Sequence, residues 1–337
     1  MDIRNRKELK TFAAQRLEQA QQEKRIVLIY AVLVLGASLL VTLVNYLLGL
    51  QISQAGGLGN MGTRSFLSAM QTVLPILKSV VVMCLQLGFT AAMLRIARGQ
   101  YASPRTLRLG FDRFWPLLRL EILKGLIYFG ICIACVYAAT ILYLLTPLSD
   151  SAMEILTPLV SQTSIMNSGI VLDDATYYQL LSAMTPMLVI FCLIYCAVIA
   201  PISYQYRMAD YVLIDRPAIG ALNALRESRK MMRGNRRNLF RLDLSLWWYY
   251  AAVFGATMVG ATMVCYGDMI LPSLGITFPW SETVSYFLFF LLYLALKLAV
   301  YYFLCNRVNV TYALAYDAVK PTEKKNNGVI LGNIFNM

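Results

Sequence analysis

Six apolar runs, each about long enough to cross a bilayer, constrain this chain more than any other feature. They lie at Ile26–Leu48, Val73–Ile96, Leu120–Leu145, Leu180–Tyr204, Leu244–Tyr266 and Val284–Cys305. The hydrocarbon core of a membrane is about 30 Å thick, so a helix needs about 20 apolar residues to span it. That core offers no water to an unpaired amide or carbonyl, so each run must satisfy its backbone internally as a helix. The chain is therefore expected to be all-α, a polytopic transmembrane helical bundle of six spans. Only 14% of its residues are charged, against about 25% in a soluble domain, and the deficit falls inside the runs. The expected organisation is one membrane domain over residues 1–320 and a short cytoplasmic tail over 321–337.

Lysine and arginine set the direction of such a bundle, because positively charged loops stay in the cytoplasm. The opening segment carries Arg4, Arg6, Lys7, Lys10, Arg16, Lys24 and Arg25. The loop after span two carries Arg98, Arg105, Arg108 and Arg113, and the loop after span four runs from Arg216 to Arg241 with Arg226, Arg229, Lys230, Arg233, Arg236 and Arg237. The tail adds Lys320, Lys324 and Lys325. The alternate loops hold only Arg64, and otherwise acids such as Asp150, Glu154, Asp173, Asp174, Asp268 and Glu282. Both termini are thus expected inside. The net charge of +12, which in a soluble protein would suggest nucleic acid, reads here as a topology signal, and no nucleic-acid partner is expected. The opening acids and bases, followed by a run longer than a signal peptide's apolar region, read as a first span rather than a secretory leader. The external loop Thr146–Gln179 reads either as a short re-entrant or surface helix or as a flexible acidic loop.

The runs also resemble one another. Arg119-Leu120-Glu121-Ile122 opens span three and Arg241-Leu242-Asp243-Leu244 opens span five, each after basic residues and aromatics. Spans two, four and six end in Arg95, Arg207 and Arg307. This predicts three copies of a unit made of a basic cytoplasmic helix, an outgoing span and a returning span. The plainer alternative is that all hairpins obeying the positive-inside rule look alike.

Chemistry is sparse. The chain has no histidine, which removes the usual general base and the commonest metal ligand. Cys132 and Cys135 form a CxxC inside an apolar run and read as small core residues rather than a redox or zinc pair. No phosphate-binding loop, dinucleotide fingerprint or metal-ligand cluster is present, so no catalytic residue, no cofactor and no metal is expected. Two lysines sit within spans, Lys78 and Lys297. A charge there costs a few kcal/mol and marks a polar site by default, although a lysine stem also reaches toward the interface. At the inner interface Glu121, Asp210, Asp243 and Asp317 lie close in sequence to Arg95, Arg119, Arg207, Arg241 and Arg307, and are expected to tie the hairpins together as a charge network.

The segment Asp215–Arg241 reads as a basic amphipathic helix. Asp215 suits a cap and Pro217 a first turn; Ile219, Leu222, Leu225 and Met232 share a face, and Gly234 suits a stop. Arg226, Arg229, Lys230 and Arg233 are the candidate contacts for anionic lipid head groups. Leu107–Leu118 reads similarly. Ala252, Ala256 and Gly260 make a small-residue stripe for close packing, within the chain or between copies. Pro186 and Pro201 are expected to bend or end span four.

The blocks Tyr206-Arg207-Met208-Ala209-Asp210-Tyr211, Asp215-Arg216-Pro217, the stretch from Ala221 to Asn235, and Leu239 to Ser245 resemble the domain of unknown function 975, a family of multi-pass bacterial membrane proteins. Gly110-Phe111-Asp112-Arg113-Phe114 and Arg6-Lys7-Glu8-Leu9-Lys10 add to the likeness. More distantly, the arrangement is similar to the membrane portion attached to some glycerophosphodiester phosphodiesterases. The resemblance implies a bacterial cytoplasmic membrane and supplies no activity; the long loop 146–179 departs from it. The expected function is that of a non-catalytic scaffold or accessory factor, with anionic membrane lipids as partners, and membrane proteins or further copies of itself as others. The alternative is a small transporter, or a lipid or peptide export and resistance factor, with a polar site near Lys297.

Overall fold

A computed structural model describes residues 3, 5–20, 23–54, 61–147, 149–150, 153–154, 174–273 and 282–320. Of the described residues 91% are helical and none lies in a strand. The helices are α1 (Arg6–Gln19), α2 (Glu23–Gln54), α3 (Met61–Ala97), α4 (Leu109–Asp112), α5 (Phe114–Leu144), α6 (Asp174–Tyr206) and α7 (Ala209–Asp215). There follow α8 (Ala221–Met231), α9 (Arg236–Ser245), α10 (Trp247–Ser273), α11 (Glu282–Val300) and α12 (Asn306–Val319), with a π-helical turn Tyr301–Cys305 before α12. Most of the expected external loop, including Ile155–Val160 and Ile165–Leu172, lies outside the described residues, as does the tail 321–337.

Among the described residues, five helical stretches are long and apolar enough to cross a membrane: Glu23–Ser53, Gly62–Ala97, Phe114–Leu144, Leu181–Asp215 and Val284–Val319. They cover five of the six expected runs. The remaining run falls on α10, whose 27 residues reach about 40 Å at 1.5 Å per residue. It opens on Trp247, Trp248, Tyr249 and Tyr250 and continues with small residues. Pro186 and Pro201 do not end span four: α6 runs through both to Tyr206. Proline is tolerated in apolar helices where neighbouring groups satisfy the freed backbone.

The chain divides into two compact units, one formed by Met1–Leu117 with Met208–Met337, the other by Leu118–Arg207. In the second unit α5 and α6 are joined by the Tyr143 hydroxyl, which donates to the Ala183 carbonyl at 2.8 Å. In the first unit the buried residues gather at one end. Cys84 to Ala97 of α3, Met208 to Leu213 around α7, and Val308 to Tyr316 of α12 supply nearly half of them, and Leu9, Ala13 and Leu17 of α1 cover them. Away from that end large apolar side chains such as Leu40, Leu47, Phe66, Ile76 and Leu77 are exposed. Such a distribution suits helices whose outer faces meet lipid, since patches this extended are rare on soluble monomers.

Two close approaches fix this packed end. A Cβ on Gly88 would lie 2.2 Å from the Leu107 carbonyl oxygen, and one on Gly110 1.9 Å from that of Cys84. The segment after α3 therefore lies directly on the α3 backbone. The expected surface helix over Leu107–Leu118 does not form as one piece: a 3₁₀ turn Pro104–Arg108, the short α4 and the start of α5 replace it. The small-residue stripe of α10 packs within the chain, where a Cβ on Gly260 would come 2.1 Å from the Tyr293 ring of α11.

Candidate functional site

The packed end carries a charged cluster that begins at the close of α3. Gly99, at φ 71°, donates to the Ile96 carbonyl at 2.9 Å, and the Gln100 amide donates to that of Arg95 at 2.9 Å. This pair of bonds terminates a helix on a left-handed residue and holds Arg98 at the helix end. The Arg98 Nη2 lies 2.7 Å from Asp317 Oδ1 and Nε 3.0 Å from Oδ2, while Nη1 donates to Asp215 Oδ1 at 2.8 Å. Lys320 Nζ and the Tyr316 hydroxyl donate to Asp215 Oδ2 at 2.5 and 3.1 Å. The Tyr316 ring stacks on Tyr211 at 5.2 Å. The bonds to Asp317, acting against partial desolvation and joined by those to Asp215, raise the Arg98 pKa. The cluster joins α3, α7 and α12, and its acids are all committed to cations or a hydroxyl.

Asp215 therefore does not cap a helix. Pro217 opens a 3₁₀ turn, Pro217–Ile219, and α8 starts after Gly220 at φ 74° without a side-chain cap. The preceding helix α7 is closed by Arg113, whose Nη1 donates to the Leu213 and Ile214 carbonyls at 3.2 and 2.9 Å. Desolvation, and then the Arg95 cation, lower the Arg113 pKa. Arg6 and Lys10 of α1 play the same part for α9, donating to the Arg241 and Ser245 carbonyls at 3.4 and 2.6 Å. Cations suit helix C-termini because the last carbonyls are unpaired and the dipole is negative there.

The residues singled out at the inner interface take varied partners. Arg95 is exposed and meets no acid among the described residues. Glu121 accepts from Lys124 at 2.8 Å. The Arg207 guanidinium lies over the Tyr204 ring at 5.6 Å, and Asp210 is half-buried at the start of α7. Asp243 accepts from the Tyr312 hydroxyl at 2.6 Å, which also meets the Tyr250 hydroxyl. Arg307 is exposed. Of the residues at the centre of the actual cluster, the sequence shows Arg98 and Lys320 as loop and tail charges and Asp215 as a helix cap.

On α8, Ala224, Leu225, Ser228 and Met231 are buried, and Met232 follows them. Leu222, expected on that face, is 50% exposed. Arg226, Arg229, Lys230 and Arg233 are all exposed. Arg226 and Lys230 line one groove with Asn223 and Glu227, and Arg216 holds Glu227 at 2.8 Å. Of the two span lysines, the Lys297 ammonium sits over the Tyr293 ring at 4.7 Å. Lys78 is half-buried and pairs with no acid among the described residues.

A pocket of about 320 Å³ opens where α1 ends, α2 begins and α3 closes. Arg16, Gln19, Glu23 and Gln100 line it above Ile26 and Ile96. Arg16 Nε and Glu23 Oε2 are buried without a hydrogen-bond partner among the described residues. Glu23 also lines a second pocket, with Lys24, Asn306 and Arg307.

The helices and their outward apolar faces define a class, a protein built of several membrane-length apolar helices. A family model described as protein of unknown function (DUF975) matches residues 1–323, and the chain belongs to that family. No curated protein and no solved structure matches it.

Proposed function

We propose that the chain is a six-span, non-catalytic protein of a bacterial cytoplasmic membrane that holds anionic lipid head groups on the basic face of α8. The carrying observation is four exposed cations, Arg226, Arg229 and Lys230 on α8 and Arg233 in the turn just after it, on a segment whose opposite side is anchored in the packed end. Each basic residue near an anionic leaflet contributes about 1 kcal/mol.

Six spans are supported by parity. Arg98, which follows the second span, Asp215, which follows the fourth, and Lys320, at the end of α12, meet in one cluster, so they lie on one side of the membrane. With Val284–Val319 as one crossing between Asp215 and Lys320, this pairing supports α10 as a further crossing. The bonds from Arg6 and Lys10 to α9 bring the N-terminal segment to the same side, and the positive-inside rule makes that side cytoplasmic.

Transport is the weaker reading, because the Lys297 ammonium is held on an aromatic face, an interaction that stabilises a lysine without requiring a substrate. The test replaces Arg226, Arg229, Lys230 and Arg233 together by glutamine. Added phosphatidylglycerol is expected to raise the melting temperature of the purified wild type and to raise that of the variant much less. Equal stabilisation of the two would refute the head-group role.

A further inference from the structure

We infer that the pocket between α1, α2 and α3 binds a small zwitterion, its oxyanion on Arg16 and its primary ammonium on Glu23. The inference rests on the membrane reading above, but not on the basic face of α8.

Three observations converge on this pocket. First, it holds opposite charges that do not neutralise each other. Arg16 and Glu23 line the same space of about 320 Å³, and each keeps one buried atom, Nε and Oε2, without a partner among the described residues. A buried polar atom left in this condition carries an unmet desolvation cost. Lys24 and Arg307 approach Glu23 from the adjoining pocket, yet neither reaches ion-pair distance.

Second, the chain is shaped to hold Arg16 there. A Cβ on Gly99 would fall 2.4 Å from Arg16 Nη1, so the glycine that ends α3 also lets the guanidinium lie against the backbone. Phe12 supports it from the same helix, with its ring centroid 4.8 Å from the guanidinium carbon.

Third, the position suits a head group. The pocket lining includes the buried Ile26 and Ile96, at the ends of two apolar helices, and the exposed Gln19 and Gln100. The volume falls in the range of small-ligand pockets, about 300–1,000 Å³. An anion alone would leave Glu23 unpaired and opposed, and a cation alone would leave Arg16 so. A phosphoethanolamine group answers both, and it reaches the site either as a phospholipid head group or as a free soluble molecule.

The test is native mass spectrometry of the detergent-purified full chain with phosphatidylethanolamine, phosphatidylglycerol or phosphatidylcholine added. Wild type is expected to prefer phosphatidylethanolamine to phosphatidylglycerol by about tenfold, the scale of one charge-assisted hydrogen bond. Phosphatidylcholine, whose ammonium carries no proton to donate, should fall with phosphatidylglycerol. Glu23→Gln is expected to erase the preference and retain phosphate binding, whereas Arg16→Gln should weaken both lipids about tenfold. Because the readout is a ratio within one folded population, loss of yield cannot mimic it. Competition by glycerophosphoethanolamine at equal affinity assigns the site to a free zwitterion, and its failure to compete assigns it to lipid. No preference in the wild type, or a preference unchanged in Glu23→Gln, overturns the inference. The fourfold α8 variant is expected to keep the preference, so failure of the α8 reading and failure of this one are separable.

Discussion

Asp215 is the residue on which three distant parts of the chain converge. Its side chain is 11% exposed and faces Arg98 and Lys320. Asp215→Asn keeps the shape and removes the charge, leaving two cations side by side. A loss of about 1–3 kcal/mol is expected, the cost of an unsatisfied partner in a partly buried site, read as a lower melting temperature in detergent. Arg98→Lys should cost nearly as much as Arg98→Gln, because an ammonium cannot reproduce the fork that spans Asp215 and Asp317. An Asp215→Asn protein as stable as wild type would show that the cluster contributes nothing. This cluster was poorly legible in the sequence. The charges were visible, and Asp317 was singled out, but with the wrong arginines. Local spacing carries no information on pairs separated by 117 and 219 positions. The pocket was missed for a similar reason: Arg16 and Glu23 read as ordinary opening charges until α3 is folded back beside them.

At the scale of elements, helix existence was legible and helix ends were not. Apolar length announces a spanning helix, since the bilayer leaves the backbone no other solution. It says nothing of how two backbones touch. Leu107–Leu118 has the composition of a surface helix, yet it breaks into short turns because Gly88 and Gly110 let it press onto α3. Gly110→Ala tests that contact. The added methyl meets the Cys84 backbone, which cannot move aside as a side chain would, so overpacking of about 1–3 kcal/mol is expected. Gly36→Ala, in open space on α2, is the control and should leave the melting temperature nearly unchanged. Equal behaviour of the two would remove the close approach as a determinant of the fold. The Gly110-Phe111-Asp112-Arg113 block that resembles the family thus has a physical content: a glycine for contact, and an arginine that closes α7.

At the scale of the molecule, the charge pattern and the cluster each support the proposed six-span topology, by independent routes. One counts lysines and arginines loop by loop; the other requires residues in a common ion-pair cluster to share a side of the membrane. The crossing to test is α10, which is not among the five membrane-length apolar stretches found among the described residues. If α10 stayed on one face, five crossings would put Lys320 opposite Lys7 and Arg98 opposite Lys320, and the Asp215–Lys320 pair could not form. A cysteine-free background carrying single cysteines at Lys7, Asp150, Arg229 or Lys320 distinguishes the two arrangements. With an impermeant maleimide on intact cells, only the cysteine at Asp150 is expected to react, and the other three only after lysis. Labelling of the Lys320 position from outside would leave five spans and break the parity on which the cluster depends. Labelling of the Arg229 position from outside would turn the basic face of α8 away from the cytoplasmic leaflet, and the proposed head-group contacts would fall with it.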